Sequence, residues 1–395
     1  MLTSIYQGLC LALCLRSRSI QCSIYEQRAE PFNQGGSIAL FPNGLSILDS
    51  LHLYRQIHQA GFDIEDTVTK DETYTTVFRS KMSNAKLYGY KVLRVRRDAV
   101  VRVLISSAEQ QGIQIYLNRK FMHVVSEHAE SVTFELDGGE RRTATLLVGA
   151  DGIHSRVRRG FPDAPSPVYH GQAGLAWTLP KDNIRFPAGE DARQLVRLKT
   201  PGGIVLLVPD RVNGDAIRVG LSVPIEDRNR VSWEKLAANK KQLLILLEKL
   251  YTDAPDVLQS FIEGAKSADI SLWPIRSMAT APSWVSECGK VIILGDAAHA
   301  LPPSGGQGGS MGIEDAYSLA FALSSSLSTF VALKRWQKMR KERLDKVVEY
   351  IESERRSRLP SAQPQDRLNE DDERLNWLYA WKPETHMRDW EEFKD

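Results

Sequence analysis

Apolar residues fall in two rhythms along this chain. Val291-Ile292-Ile293-Leu294 and Ala144-Thr145-Leu146-Leu147-Val148 are continuous runs rich in branched side chains. Such runs suit strands buried on both faces of a parallel sheet. Gly8 to Arg16 is apolar all round and predicts a buried first helix, with Gln21 to Tyr25 as a short strand after it. Asp98 is placed to cap a helix carrying Val100, Val101, Leu104, Ile105 and Ala108 on one face and stopping at Gly112. Asn43 is placed to cap another through Leu45, Leu48 and Leu51. Phe121–Glu127 and Ser131–Leu136 alternate, with Asp137-Gly138-Gly139 as the turn of a ribbon.

From Tyr169 to Pro274 strict alternation takes over. Strands are expected at Gln194–Leu198, Ile204–Val208 and Ile217–Val223, with a hairpin at Pro201-Gly202-Gly203 and one helix over Ser232–Leu250. The change of rhythm predicts an α/β Rossmann-like lobe interrupted by an antiparallel-sheet lobe. We assign residues 1–70, 94–168 and 275–355 to the first and 71–93 and 169–274 to the second. Residues 356–395 read as a linker and a tail whose Trp377, Tyr379, Trp381 and Trp390 predict that it packs down.

Composition narrows the function. A chain of 395 residues exceeds the roughly 250–300 at which single cores split. Lys+Arg 51 against Asp+Glu 49 leaves +2, so no net field recruits nucleic acid or an acidic membrane. The basic run Lys334–Arg343 reads as a solvated helix face, with Leu333, Trp336 and Leu344 left to pack. Cys10, Cys14, Cys22 and Cys288 make neither a disulfide framework nor a four-ligand metal set. A reducing, cytoplasmic setting is expected. The apolar stretch Leu9–Leu15 lacks the basic start of a leader and is too short to span a bilayer.

Candidate chemistry concentrates in Val291–Glu314. A buried strand ends at Gly295-Asp296, a glycine-rich loop follows with Gly308 and Gly309, and a helical pattern is read from Glu314-Asp315 through Ala316 and Leu319. Backbone N–H groups at a positive helix end make an anion cradle. Glu26 ends an early strand, where dinucleotide folds place an acceptor for a ribose diol. Gly36 to Ala39 suits close approach by something flat, Arg97 stands at a helix start, and Asp151 repeats the strand-then-acid pattern.

These residues resemble the flavin-dependent monooxygenases of the aromatic-hydroxylase type, the family of salicylate and p-hydroxybenzoate hydroxylases. Leu294-Gly295-Asp296-Ala297-Ala298-His299, with Gly306-Gln307-Gly308 and Gly312-Ile313-Glu314-Asp315-Ala316, is similar to its second flavin motif. Val148-Gly149-Ala150-Asp151-Gly152 with Ser155, Arg156 and Arg158 is similar to its DG motif, and Ile24-Tyr25-Glu26 to its early segment. The resemblance implies a glutathione-reductase-type FAD lobe with an inserted substrate lobe. It implies that Glu26 holds the ribose, Arg97 the phosphates and Asp296 the ribityl–pyrophosphate linkage. Gly308 and Gly309 would sit under the pyrophosphate and the flavin edge, Gly36 and Ala39 along the ring, and Asp151 toward flavin and nicotinamide. NADPH or NADH would reduce FAD, and O2 would then form a C4a-hydroperoxide that hydroxylates or epoxidises an aromatic or polycyclic substrate. Arg197, His170 and Tyr169 could reach the substrate side, but no catalytic acid or base is assigned.

One departure stands out. The family opens with a strand and a G-x-G-x-x-G turn, whereas here Met1–Gln7 precede Gly8-Leu9, with Ile5 and Tyr6 compatible with a strand. Two lost charge-assisted hydrogen bonds would cost ~3–6 kcal/mol, or ~10²–10⁴ in affinity. The departure leaves a second expectation: a flavin-fold relative that holds little or no FAD and acts as a binding protein.

Overall fold

A computed structural model describes residues 5–30, 36–190, 194–210, 212, 214–251, 254–302, 305–357 and 373–381. Along the chain, α1 (Ile5–Arg16) is followed by β1 (Ser23–Tyr25), β2 (Ser37–Leu40), α2 (Pro42–Ser50), α3 (Tyr54–Gln59), β3 (Gly61–Ile64), β4 (Asp66–Lys70) and β5 (Thr76–Lys81). Next come α4 (Ala85–Tyr88), β6 (Val92–Arg96), α5 (Arg97–Gln110), β7 (Gln114–Tyr116), β8 (Phe121–Glu127), β9 (Val132–Leu136), β10 (Arg141–Ala144) and β11 (Leu147–Gly149). The second half holds β12 (Val168–Pro180), β13 (Leu195–Thr200), β14 (Gly203–Pro209), β15 (Ala216–Pro224), α6 (Arg230–Ala238), α7 (Lys240–Leu250), α8 (Asp256–Ala265) and β16 (Ser271–Ser277). It closes with β17 (Val291–Ile293), α9 (Gly308–Ser324), α10 (Thr329–Ser357) and α11 (Asn376–Tyr379). The fold is the α/β type with an antiparallel insertion that the two rhythms announce.

One apolar cluster wraps α1, α2, α5, α9 and α10 around two short parallel ribbons, β1 with β7 and β11 with β17. No described strand lies between them. Ile5 and Tyr6 begin α1 instead of extending a strand, so the strand-compatible reading of those residues does not hold. The flanks show it: Ile24, Leu147 and Val148 are only half-buried, while Val291 to Leu294 are fully covered.

The second cluster belongs to a seven-stranded sheet in the order β16-β12-β15-β14-β13-β4-β5, parallel only where β13 meets β4. Leu175, Trp177, Leu179, Leu207, Val219 and Leu221 face α6–α8, and alternate residues point the other way. The expected helix over Ser232–Leu250 is two helices, because the Asn239 side chain accepts the Gln242 N–H and caps a new start. Asn43 is not a cap either; its amide is buried and donates to Glu314 Oε1 at 2.7 Å. Arg96, not Asp98, precedes α5, and Asp98 turns back to bind Arg96 and Arg102. Ala144 belongs to the β8–β10 ribbon, and β11 starts at Leu147.

The basic run departs most from expectation. Arg340 shares the inner stripe of α10 with Trp336 and Leu344 and is 1% exposed. It donates to Glu314 Oε2 at 2.6 Å and to Asp315 Oδ1 at 2.7 Å, and Arg343 adds two bonds of 2.6 Å to Glu314. His299 Nε2 lies 2.5 Å from the other oxygen of Asp315, which also accepts the Gly295 N–H at 2.9 Å. Arg343 further binds the carbonyls of Trp377 and Leu378, which ties down the aromatic tail with Tyr379 stacked on Phe41. Trp390 lies outside the described residues.

Burial alone would raise Asp315, but His299 and Arg340 outweigh it and hold its carboxyl at about 2, below the ordinary 3.8. Glu314 is lowered too, by Arg343 and Arg340 against burial. A depressed carboxyl stabilises the fold above its unfolded pKa and loses that contribution as pH falls through the folded one. Denaturant titrations are therefore expected to show stability declining from about pH 4 toward about pH 2.

Among the described residues, no helix is long and apolar enough to cross a membrane.

Candidate active site

The strand pair β11–β17 ends with Gly149 opposite Ile293, and Gly295-Asp296 follows in a tight turn that brings the Asp296 carboxylate to the start of α9. That helix begins at Gly308, two turns before the start read from the sequence, and takes Glu314 and Asp315 inside. Glycines suppress the helical signal there, at ~1 kcal/mol each, yet packing requires them. A Cβ on Gly312 would collide with Gln7 of α1, and one on Gly44 would stand 2.9 Å from Ser310 Oγ.

Gly308 differs. A Cβ there would meet only Asp296 Oδ1, at 3.9 Å, and no side chain caps the first N–H groups of α9. Gly309 is flanked by Ile38 of β2 and the Tyr6 hydroxyl, 2.8 and 3.3 Å from its virtual Cβ. The Gly36 carbonyl accepts the Arg97 N–H at 3.0 Å, and Ala39 pairs with Arg94 across the sheet. Asp296, Gly308, Gly309, Gly36, Ala39 and Arg97 thus lie in one neighbourhood, where the start of α9 meets β2 and the head of α5. Tyr6 reaches into it from α1. Burial and the nearby Asp296 push its phenol well above the ordinary range, against Arg97, so it is a neutral donor.

Two expected residues lie apart. Glu26 follows β1, its N–H bound to the Tyr116 carbonyl at 2.9 Å and its carboxylate accepting the Arg28 N–H at 3.0 Å. Burial raises its pKa. Asp151 is exposed, with Oδ2 accepting the N–H groups of Arg156 at 2.6 Å and Val157 at 3.3 Å, so it shapes its own loop. Beside that loop a cleft of 410 Å³ is lined by His154, Arg158, Arg159 and Asp163. Burial and then Arg276 lower the His154 pKa.

Several buried polar atoms around these elements lack a partner. Arg28 Nη1 is one, beside Glu26; Arg94 Nε is another, on the strand backing Ala39. Both amide atoms of Gln307, immediately before the cradle, and Oε1 of Gln7 complete the path. Orphaned buried groups are rare and point to an absent partner. A dinucleotide with a ribose diol, a diphosphate and a flat ring fits that string of groups. Gln307 lies inside the Gly306-Gln307-Gly308 stretch read from the sequence, whereas Tyr6, Gln7 and Arg94 carry no motif and no site role could be read for them.

The open space at Gly308 yields a clean prediction. Gly308→Ala adds a methyl with no protein clash and relieves a helix glycine, so the melting temperature is expected to hold or rise. The same methyl covers the cradle, and FAD affinity measured by fluorescence quenching is expected to fall roughly tenfold, about 1.4 kcal/mol.

Comparison with known proteins follows this geometry. The family described as FAD binding domain matches residues 6–350. An FAD-dependent monooxygenase of Penicillium shearii is 28% identical over 395 residues, covering 91% of this chain and 75% of that protein. Another, of Hypocrea jecorina, is 28% identical over 350 residues, covering 80% of this chain and 73% of that protein. The crystal structure of CtdE with FAD and a substrate superposes with a TM-score of 0.81 at 20% identity, covering 98% of this chain and 96% of that one.

Proposed function

Because this chain belongs to the FAD binding domain family, we propose that it is an FAD-dependent monooxygenase taking electrons from a reduced nicotinamide, NADPH or NADH, and acting on an aromatic or polycyclic small molecule. The carrying observation is the open α9 N-terminus with Asp296 at its mouth. Bound there, FAD would supply the redox chemistry of hydride uptake and O2 activation. The chain's own part is to hold and orient. The N–H groups of Gly308 and Gly309 and the helix dipole favour anionic groups, including the negative edge of a reduced ring. Asp296 takes polyol hydroxyls, Arg97 the phosphates, and Glu26 the ribose diol. The segment Gly36 to Ala39 gives the ring a flat wall, with Arg94 behind Ala39. Asp151 fixes the loop beside the cleft of His154 and Arg158, where the nicotinamide nucleotide docks in this reading.

The seven-stranded sheet, which includes β4 and β5, acts with α6–α8 as the substrate lobe, and a cytoplasmic setting agrees with four unpaired cysteines. The test is NADPH oxidation by FAD-loaded protein with a panel of aromatic acids. Substrate-stimulated turnover without matching peroxide release is expected. Turnover that releases only peroxide would make the protein an oxidase.

A further inference from the structure

The seven-stranded sheet turns one face to α6–α8, and its other face is partly open, with Leu206 and Ile204 exposed and Arg218, Gly220 and Ser222 half-buried. On that open face three rows run outward from the β2 segment, each two residues along the strands, or roughly 7 Å. The first row is Thr178 and Arg218. The Arg218 guanidinium lies 3.0 Å from the virtual Cβ of Gly36, and Asp210 bridges Thr178 at 2.7 Å to Ser37 at 2.6 Å. The second row is Ala176, Gly220 and Leu206, and the third Gly174, Ser222 and Ile204, with Trp273 paired to Gly174.

The chemistry of these rows is uneven. Leu206 and Ile204 on β14 are 40% and 47% exposed, and Trp273 on the far edge 36%, an unusual display of apolar surface. The Trp273 indole lies flat where a Gly174 side chain would be, and a Cβ on Gly220 would touch only Ala176 Cβ and the Leu175 carbonyl, both at 3.9 Å. β14 and the edge strand β16 that carries Trp273 stand three strand spacings apart, about 14 Å, and Ala176, Gly220 and Ser222 lie on the two strands between them. That breadth suits fused rings better than a single ring. At the inner end Arg94 and Arg218 face one carboxylate, Asp210, and Arg94 Nε has no partner. The inner end is cationic and the outer end apolar.

We propose that this face is a substrate shelf for a flat molecule of two or more fused rings whose acidic group points inward to Arg218, with Gly220 and Leu206 setting the size accepted. The inference rests on the flavin reading above, since it puts the reacting ring beside Gly36. An acid held at Arg218 leaves the fused rings over Gly220, between Leu206 and Trp273.

The test is isothermal titration of the full chain with 3-hydroxy-2-naphthoate, salicylate and the neutral 2-naphthalenemethanol, with bound FAD measured by absorbance in the same samples. The naphthoate is expected to bind at least tenfold more tightly than either comparison compound. Gly220→Leu and Leu206→Gln are each expected to weaken it tenfold or more without changing FAD content. Should Gly220→Leu fold poorly, Leu206→Gln, a change at an exposed position, decides alone. Equal affinity for all three compounds, or unchanged naphthoate affinity in the folded variants, would overturn the shelf. A colourless sample would count against the flavin reading and leave the shelf to be judged on the titration.

Discussion

Asp296→Ala is expected to give a folded protein that emerges colourless from incubation with FAD and desalting. Asp296 stands at the start of α9, its Oδ1 3.9 Å from the virtual Cβ of Gly308, and it lies in the field of the Tyr6 phenol. Two charge-assisted hydrogen bonds from one carboxylate are together worth ~3–6 kcal/mol, a factor of ~10²–10⁴ in affinity. Asp296→Asn keeps the shape and part of the hydrogen bonding, so it should retain more flavin than the alanine variant. Circular dichroism separates loss of cofactor from loss of fold. Full flavin retention in Asp296→Ala would show that backbone donors alone hold the cofactor.

The second large effect is on stability. Arg340→Leu leaves Glu314 and Asp315 buried without the arginine that binds both, although the leucine fits an apolar helix stripe. Breaking a buried ion pair by removing one partner costs about 3–5 kcal/mol, against about 5–15 kcal/mol for a whole domain. Arg343 and His299 remain to share the charge, which keeps the loss toward the lower end. Denaturant midpoints should fall accordingly. Because Asp315 also accepts the Gly295 N–H and Glu314 the Asn43 amide, the damage reaches the Asp296 turn, and FAD content should drop with stability. Removing Glu314 and Asp315 as well, as Gln and Asn, should recover part of the lost stability.

How much of this was legible follows from what each feature depends on. The strand at Val291 and the helix face of Val100 to Ala108 are local hydrophobic patterns, and both appear where the pattern puts them. The start of α9 was hidden because Gly308, Gly309 and Gly312 weaken its helical pattern, the last two allowing close approach of Ile38, Tyr6 and Gln7. Arg340 was hidden because a basic run averages to a solvated face, although its i, i+4 spacing from Trp336 and Leu344 puts it on the inner stripe. The break at Asn239 is a single side-chain cap, too small a signal to interrupt a leucine-rich run. The open face of the sheet could not be read at all. Its character depends on which strands pair, and β16 meets β12 across some hundred residues.

The most direct measurement is the flavin content of the unmodified chain after incubation with FAD and desalting, read by absorbance and checked by mass spectrometry. An equimolar yellow complex is expected. Well-folded protein that stays colourless would contradict the flavin reading.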